Sequence, residues 1–300
     1  MLNTNYANSD KKIIIIKDIM GNNKNIGNNC EIHSTVVIED GAIIGNNVKI
    51  GAFSVIGKNV KIGDNCILKP HTVIEGHTTI GNGNKIFSFA TIGQDPQDLK
   101  YHGEKSEIVI GNNNSIREHC TIHPGTEGDN LLTKIGNNNL LMVNTHIAHD
   151  CVIGNNCVFA NNATLAGHVH IGNNVVLGGL SAIHQFVKVG DGAMLGGLSG
   201  LGEDLIPYGM AYVQSGRRSS LQGLNLVGLK RSGIAKEEIH NLMHYYKEVF
   251  EDKSGTPLVE RSQEIRKKYQ DSKLVNEVAD FLGSDSSRRF CTVRQSNDKE

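Results

Sequence analysis

The chain predicts a left-handed parallel β-helix closed by an α-helical cap. A large apolar residue recurs at every sixth position, at Ile135, Leu141, Ile147, Ile153, Phe159, Leu165, Ile171, Leu177, Ile183, Val189, Leu195 and Leu201. From Ile147 onward the fourth residue after it is small or medium, as at Cys151, Cys157, Ala163, Val169, Val175, Ser181, Val187, Ala193 and Ser199. Between these positions Gly and Asn collect, the residues that best tolerate the positive φ of a tight corner. A helix needs apolar spacing near 3.6 and a half-buried strand near 2, so a strict period of six fits neither. It fits a solenoid in which each hexad is a short strand plus a corner, and three hexads close a triangular coil of about eighteen residues.

Taken in order, residues 1–25 are polar and Asn-rich apart from Ile13 to Ile16 and predict a loose arm or a stray strand. The β-helix is expected over 26–207, with hexads led by Ile26, Ile32, Ile38, Ile44, Ile50, Ile56, Ile62, Leu68, Ile74, Ile80, Ile86 and Ile92. The beat lapses near 94–109 and resumes in phase at Ile110, Ile116 and Ile122, then lapses again over 128–134. Both gaps predict loops thrown out from a rigid coil, where function tends to sit. Over 208–285 the spacing becomes helical, in Ser219 to Leu229, Ala235 to Phe250, Pro257 to Tyr269 and Leu274 to Leu282. In the second of these, Ile239, Leu242, Met243, Tyr246 and Val249 form the apolar stripe. The stretch 286–300 reads as a flexible tail.

Composition agrees with an elongated solenoid. Aromatic residues make up only 5% and Trp is absent, so a globular core of ordinary type is disfavoured, while 34 Gly suit an array of corners. A net charge of -1 gives no reason to expect nucleic acid. The run Ile13 to Ile16 is too short for a signal segment or a membrane span, so a cytoplasmic location is expected. Cys30, Cys66, Cys120, Cys151 and Cys157 all occupy the small inward position, where a thiol acts as a small hydrophobe. Cys291 lies outside the pattern. No CxxC occurs, which disfavours zinc fingers and disulfides.

Residues about eighteen apart lie one coil above another. With the second gap excluded, Ile122, Ile147, Leu165 and Ile183 share one column, and His123, His146, His149, His168 and His184 gather beside it. One imidazole alone is most often a solvated or packed side chain. Several in one column, next to Asn144, Asp150 and Gln185, point to a site. Two chemistries suit such a column. Three imidazoles hold Zn²⁺ with one position open, as some hexapeptide-fold carbonic anhydrases do. Alternatively a carboxylate beside His149 fixes the ring tautomer, and the free nitrogen takes a proton from a substrate hydroxyl. A thioester carbonyl under attack then finds a backbone N–H at a glycine corner such as Gly167. Spacing alone does not separate the two.

The motifs Gln97-Asp98-Leu99-Lys100-Tyr101, Ile122-His123-Pro124-Gly125-Thr126, His146-Ile147-Ala148-His149-Asp150-Cys151, Ala160-Asn161-Asn162-Ala163-Thr164-Leu165-Ala166-Gly167-His168, His184-Gln185-Phe186 and Gly223-Leu224-Asn225-Leu226-Val227-Gly228-Leu229-Lys230-Arg231 are specific enough to name a family. The chain resembles the UDP-N-acetylglucosamine O-acyltransferases of lipid A biosynthesis over roughly residues 26 to 285. That resemblance implies a homotrimer with active sites in clefts between prisms. It also implies transfer of an (R)-3-hydroxyacyl group from acyl carrier protein to the glucosamine 3-hydroxyl, with no metal and no cofactor beyond the carrier's phosphopantetheine arm. Carried over by position, His149 is the general base, Asp150 orients it and Gly167 supplies the oxyanion N–H. Gln97, Asp98, Lys100, His123, His146, His168 and Gln185 would hold substrate. Asn225 and Arg231 would face the nucleotide or pantetheine end, and Gly197 would floor the acyl groove. Basic residues of the cap, among them Lys230, Arg231, Lys236 and Lys247, would suit an acidic carrier protein. Val227 stands where the best-known members carry Glu, Ser232 where a second Arg is common, and the segment 212–218 is longer than usual. The related N-acyltransferases usually add an N-terminal uridine-binding domain, for which residues 1–25 are too short. Transfer to a 3-amino sugar, a γ-type carbonic anhydrase and a purely structural solenoid are the remaining alternatives.

Overall fold

The computed structural model describes residues 25–213, 219–252 and 254–293 of the 300-residue chain. Residues 1–24 of the expected N-terminal arm and 214–218 of the long 212–218 segment lie outside these residues.

The chain winds as a triangular prism with three parallel faces of eleven, nine and eight strands, taken here as the first, second and third face. It is the left-handed parallel β-helix that the six-residue beat predicts. Most strands are two residues long, and each beat residue faces inward, as with Ile147, Leu165 and Ile183 on the second face. His146 pairs with Thr164 and Ile147 with Leu165, one coil of eighteen residues apart. The core is a column of Ile, Leu and Val running the length of the prism. Burying each such side chain contributes roughly 1.5–3 kcal/mol, and no single globular centre is needed.

The asparagines do more than accept positive φ. Asn47, Asn65, Asn113, Asn138, Asn156 and Asn174 do adopt it, at 56–59°. A second set, one residue earlier, forms a continuous ladder up the same corner. The side-chain oxygens of Asn46, Asp64, Asn82, Asn112, Asn137, Asn155, Asn173 and Asp191 each accept the backbone N–H of the neighbouring coil at 2.7–2.9 Å. Corner N–H groups left outside the strand ladders are thereby satisfied.

The loop edges differ from those expected. The first loop runs between Thr91–Ile92 and Glu107–Ile110, so the strand resumes before residue 109. The second lies between Thr121–Ile122 and Leu132–Ile135. Leu132, Thr133 and Lys134, expected in the loop, pair with Glu107, Ile108 and Val109. Their burial alternates as in a strand, with Thr133 and Ile135 inward and Lys134 exposed, although the order Leu-Thr-Lys-Ile carries no apolar alternation. His123 to Thr126 belong to the loop instead. The coil-to-coil offset rises to thirty residues across the first loop and twenty-five across the second. Both loops leave the corner between the second and third faces, one coil apart.

Past Pro207 the prism gains one more strand, Gly209–Tyr212, which pairs with Met194 and Leu195 and then antiparallel with Ser220–Leu224. A helix had been expected from Ser219. The reason for the difference is an open strand edge on the first face, whose backbone groups the hairpin satisfies. The helices α1 (Leu226–Arg231), α2 (Lys236–Phe250), α3 (Leu258–Arg266) and α4 (Lys273–Gly283) follow. Glu237 and Glu238 open α2 and Lys247 lies in its last turn, matching the helix dipole. Ile239, Leu242, Tyr245 and Val249 are its buried residues, whereas Met243 of the expected stripe is exposed. Among the described residues no helix is long and apolar enough to cross a membrane.

The stretch expected to be a flexible tail is docked as far as Thr292, whose carbonyl accepts the Leu221 N–H. Asp204 and Phe290 form a bridge, and Cys291, fully buried, donates its N–H to Asp204.

The inward thiols behave as the beat requires. Burial raises the Cys66 thiol pKa, and pushes Cys120 and Cys157 up to about 11 and Cys151 to about 12. Cys30, in the first described coil, is only partly covered. A thiol reagent is therefore expected to label Cys30 first and to reach Cys66, Cys120, Cys151 and Cys157 only on unfolding. Rapid labelling of native Cys151 or Cys157 would contradict the register.

Candidate active site

The corner from which both loops leave is also where the histidines meet. Asp150, His168 and Phe186 occupy equivalent left-handed corner positions in successive coils, with φ of 58°, 62° and 65°. The His168 N–H donates to the His149 carbonyl, and the Phe186 N–H to that of Gly167, so Gly167 lies over His149 and His168 over Asp150.

His149 Nδ1 lies 2.9 Å from Asp150 Oδ2. The same carboxylate accepts the Thr126 backbone N–H at 2.9 Å and its hydroxyl at 2.6 Å, and is only 2% exposed. Burial on its own would raise the Asp150 pKa. The bonds from His149 and Thr126 outweigh it and hold the carboxyl below its ordinary range. Asp150 thus remains a carboxylate, and it fixes the proton of His149 on Nδ1. Nε2 makes no hydrogen bond within the described residues.

Gly167 is required sterically. A Cβ there would fall 2.4 Å from His149 Cε1 and 2.5 Å from Nε2, so only glycine lets the ring lie across the corner. Its backbone N–H has no partner among the described residues. Gly125 is constrained in a similar way, because a Cβ would lie 2.0 Å from the Leu132 nitrogen and 2.8 Å from Asp150 Oδ1.

The remaining imidazoles form a continuous set. His168 stands edge-on to His149 at 4.9 Å, stacks on Phe186 at 4.4 Å and directs Nδ1 to Asp129 at 3.1 Å. His146 bonds Thr121 at 2.7 Å and meets His123 edge-on at 5.1 Å. Burial, and then the neighbouring His146 and His149, lower the His123 pKa to about 4. His146 is lowered by burial and by His149. Both are therefore neutral at pH 7. His123 Nδ1 is buried with no hydrogen-bond partner among the described residues.

The structure thus brings together His123, His146, His149, Asp150, Gly167 and His168. Thr126, Asp129 and Phe186 join them, and none of these was singled out from the sequence; Thr126 and Phe186 stand inside the quoted motifs, and Asp129 lies in the irregular loop. Gln97 and Lys100 are exposed on the first loop, and Asp98 turns its carboxylate onto the Lys100 N–H at 3.0 Å. Exposed Gln185 flanks Phe186, while exposed Gly197 lies at the other edge of the second face. Arg231 is exposed in the last turn of α1. Asn225 caps α1 by accepting the Gly228 N–H and donates to the Gly192 carbonyl at 3.0 Å, so its amide ties the cap to the prism. Among the described residues no hydrogen bond, ion pair or ring contact joins Gln97, Asp98, Lys100, Gly197, Asn225 or Arg231 to the histidines within one chain.

His149, Asp150 and His168 offer atoms within 4.8 Å of one another, close enough for a metal ion. The fit is poor. His149 Nδ1 faces Asp150 rather than open space, and the carboxylate already accepts from Thr126, so a metal would have to replace these bonds.

Two kinds of pattern match the chain: bacterial transferase hexapeptide repeats at residues 23–58, 59–94 and 132–167, and domain 2 of UDP-N-acetylglucosamine O-acyltransferase at 204–291. A protein from Rickettsia canadensis named acyl-[acyl-carrier-protein]–UDP-N-acetylglucosamine O-acyltransferase is 48% identical over 263 residues, 88% of this chain and 98% of that protein. The chain belongs to the UDP-N-acetylglucosamine O-acyltransferase family. The family's solved structures superimpose closely. The Campylobacter jejuni UDP-N-acetylglucosamine acyltransferase is 42% identical with a TM-score of 0.81, over 88% of this chain and all of that one. The Francisella novicida enzyme is 39% identical with a TM-score of 0.83, over 89% and 95%. Membership makes the chain an acyltransferase and accounts for both the hexad prism and the helical cap.

Proposed function

We propose that the chain moves an (R)-3-hydroxyacyl group from acyl carrier protein to the glucosamine 3-hydroxyl of UDP-N-acetylglucosamine, the first step of lipid A biosynthesis. The observation that carries this reading is the 2.9 Å bond from His149 Nδ1 to a buried carboxylate, which leaves Nε2 unpartnered beside the free Gly167 N–H. Nε2 takes the hydroxyl proton as the sugar oxygen attacks the thioester carbon. The Gly167 N–H stabilises the resulting oxyanion. Collapse of the tetrahedral intermediate breaks the C–S bond, and the proton on His149 passes to the departing thiolate. The products are the 3-O-acyl sugar nucleotide and the free carrier thiol.

His123, His146, His168 and Gln185 bind substrate around His149. Gln97, Asp98, Lys100, Gly197 and Arg231 lie away from His149 within one chain. They reach the substrate if three prisms associate and a neighbouring copy supplies them across the cleft. Lys230, Arg231, Lys236 and Lys247 are exposed on the cap and would meet the acidic carrier.

Purified protein is expected to acylate UDP-N-acetylglucosamine from a hydroxyacyl carrier protein, at an undiminished rate after dialysis against a chelator. No transfer across a panel of chain lengths would sink the reading. Zinc bound in stoichiometric amount and tracking with activity would replace it with a metal-assisted one.

A further inference from the structure

Along the outer surface of the second face, side chains shrink from coil to coil: His146, Thr164, Ala182 and Gly200 stand in one register row. The shrinking row floors a cavity of about 820 Å³ lined by Thr164, Ala166, Ala182, His184, Gly200 and Arg288, among others. It begins next to Gly167. One wall comes from far along the chain, the segment that follows α4. That segment is fastened independently of Arg288. Lys188 donates to the Asp285 carbonyl, Ser286 donates to the Asp204 carboxylate, and Asp204 bonds the backbone of Arg289 and Cys291 at 2.8 Å.

Arg288 spans two acceptors on the prism. Its Nε donates to the Gln185 carbonyl at 3.1 Å, and Nη2 reaches His184 Nδ1 at 2.8 Å. A guanidinium has donors only, so Nδ1 must accept and the ring proton of His184 resides on Nε2. A longer approach of Nδ1 to the Gln185 carbonyl, 3.4 Å, would need the opposite tautomer; the shorter contact decides. The next residue, Phe186, holds a left-handed φ of 65° that bulky residues adopt only when constrained, and its ring backs His168 at 4.4 Å.

We propose that Arg288 is a positioning residue for acyl transfer, fixing His184 as an Nε2–H donor to the ligand in the cavity and pinning the 184–186 corner that supports His168. The inference rests on the transfer reaction proposed above. It is tested with full-length Arg288→Ala, Arg288→Lys, His184→Ala and the Arg288→Ala/His184→Ala double variant. For each, kcat, KM, Tm and the ring ¹⁵N shifts of His184 are measured. Arg288→Ala should lower kcat/KM about tenfold, the scale of a lost charge-assisted hydrogen bond, with Tm nearly unchanged. Lysine should restore part of the loss. The double variant should be no worse than His184→Ala alone, because the two residues act as a unit. In the wild type Nδ1 should give the shift of an unprotonated nitrogen and lose that uniformity in Arg288→Ala. Additive losses, unchanged kcat/KM, or a loss explained by a fallen Tm and unrelieved by lysine would each overturn the proposal. If the alanine variant does not fold, Arg288→Gln takes its place in the same cycle. A wild-type protein without transferase activity would defeat the functional reading instead, and the ring-nitrogen shifts would still decide the role of Arg288.

Discussion

His149→Ala is expected to lower kcat by about 10²–10⁴-fold, the usual contribution of a general base. KM for UDP-N-acetylglucosamine should change little, since the residue acts mainly in the transition state. His149 combines a buried carboxylate 2.9 Å from Nδ1 with an unpartnered Nε2, whereas His168, which also faces Asp129 at 3.1 Å and Asp150 at 3.9 Å, has its ring stacked on Phe186. His123 and His146 are neutral at pH 7; the charge of Asp95 favours a proton on His123 but is outweighed by burial, His146 and His149, and among the described residues no hydrogen-bonded carboxylate stabilises either ring once it gains a proton. Asp150 does this for His149, and it is itself held ionised by Thr126. His168→Ala provides the contrast: a residue that only contacts substrate should weaken binding at least as much as turnover. Near-normal turnover in His149→Ala would show that the base is misassigned, and His146 and His123 would be tested next.

Gly167→Ala is expected to lower kcat by about 10²-fold, the scale of an ångström-sized misplacement of a catalytic group. The backbone at 167 is not left-handed, unlike that of His168, so alanine is conformationally permitted there. What it cannot avoid is the His149 ring, 2.4 Å from the added carbon. The ring must move off the corner and away from the unpartnered N–H. Because the clash is local, Tm should fall far less than activity, which separates this variant from a folding defect. Unchanged kcat would mean that the ring adopts another rotamer in the working enzyme.

The gathering of histidines at one corner was legible before the fold was known, because a solenoid turns sequence distance into height. Counting hexads placed Ile147, Leu165 and Ile183 in one column, and the pairing of His146 with Thr164 and of Thr164 with Ala182 has that register. The same periodicity failed wherever the chain left the coil. The second loop began several residues earlier than expected, so Thr126 was not read as a loop residue, and Asp129, inside the expected loop, had no register to place it; one anchors Asp150 and the other faces His168. Irregular backbone carries no period to count. The docked stretch up to Thr292 was invisible for a different reason: its contacts with Asp204 and Gln185 are long-range, and its composition is that of a tail.

The sequence by itself determined the prism, its three-face register, the inward cysteines and the gathering of histidines at one corner. All of these follow from which residue types tolerate burial or a tight turn at a fixed spacing. The tertiary structure decided which imidazoles face a carboxylate, which glycine must stay bare, and that Asn225 serves as a helix cap. It also brought Arg288 onto His184. Those outcomes depend on distances between side chains carried by different coils and by the cap, and a period of six does not encode them.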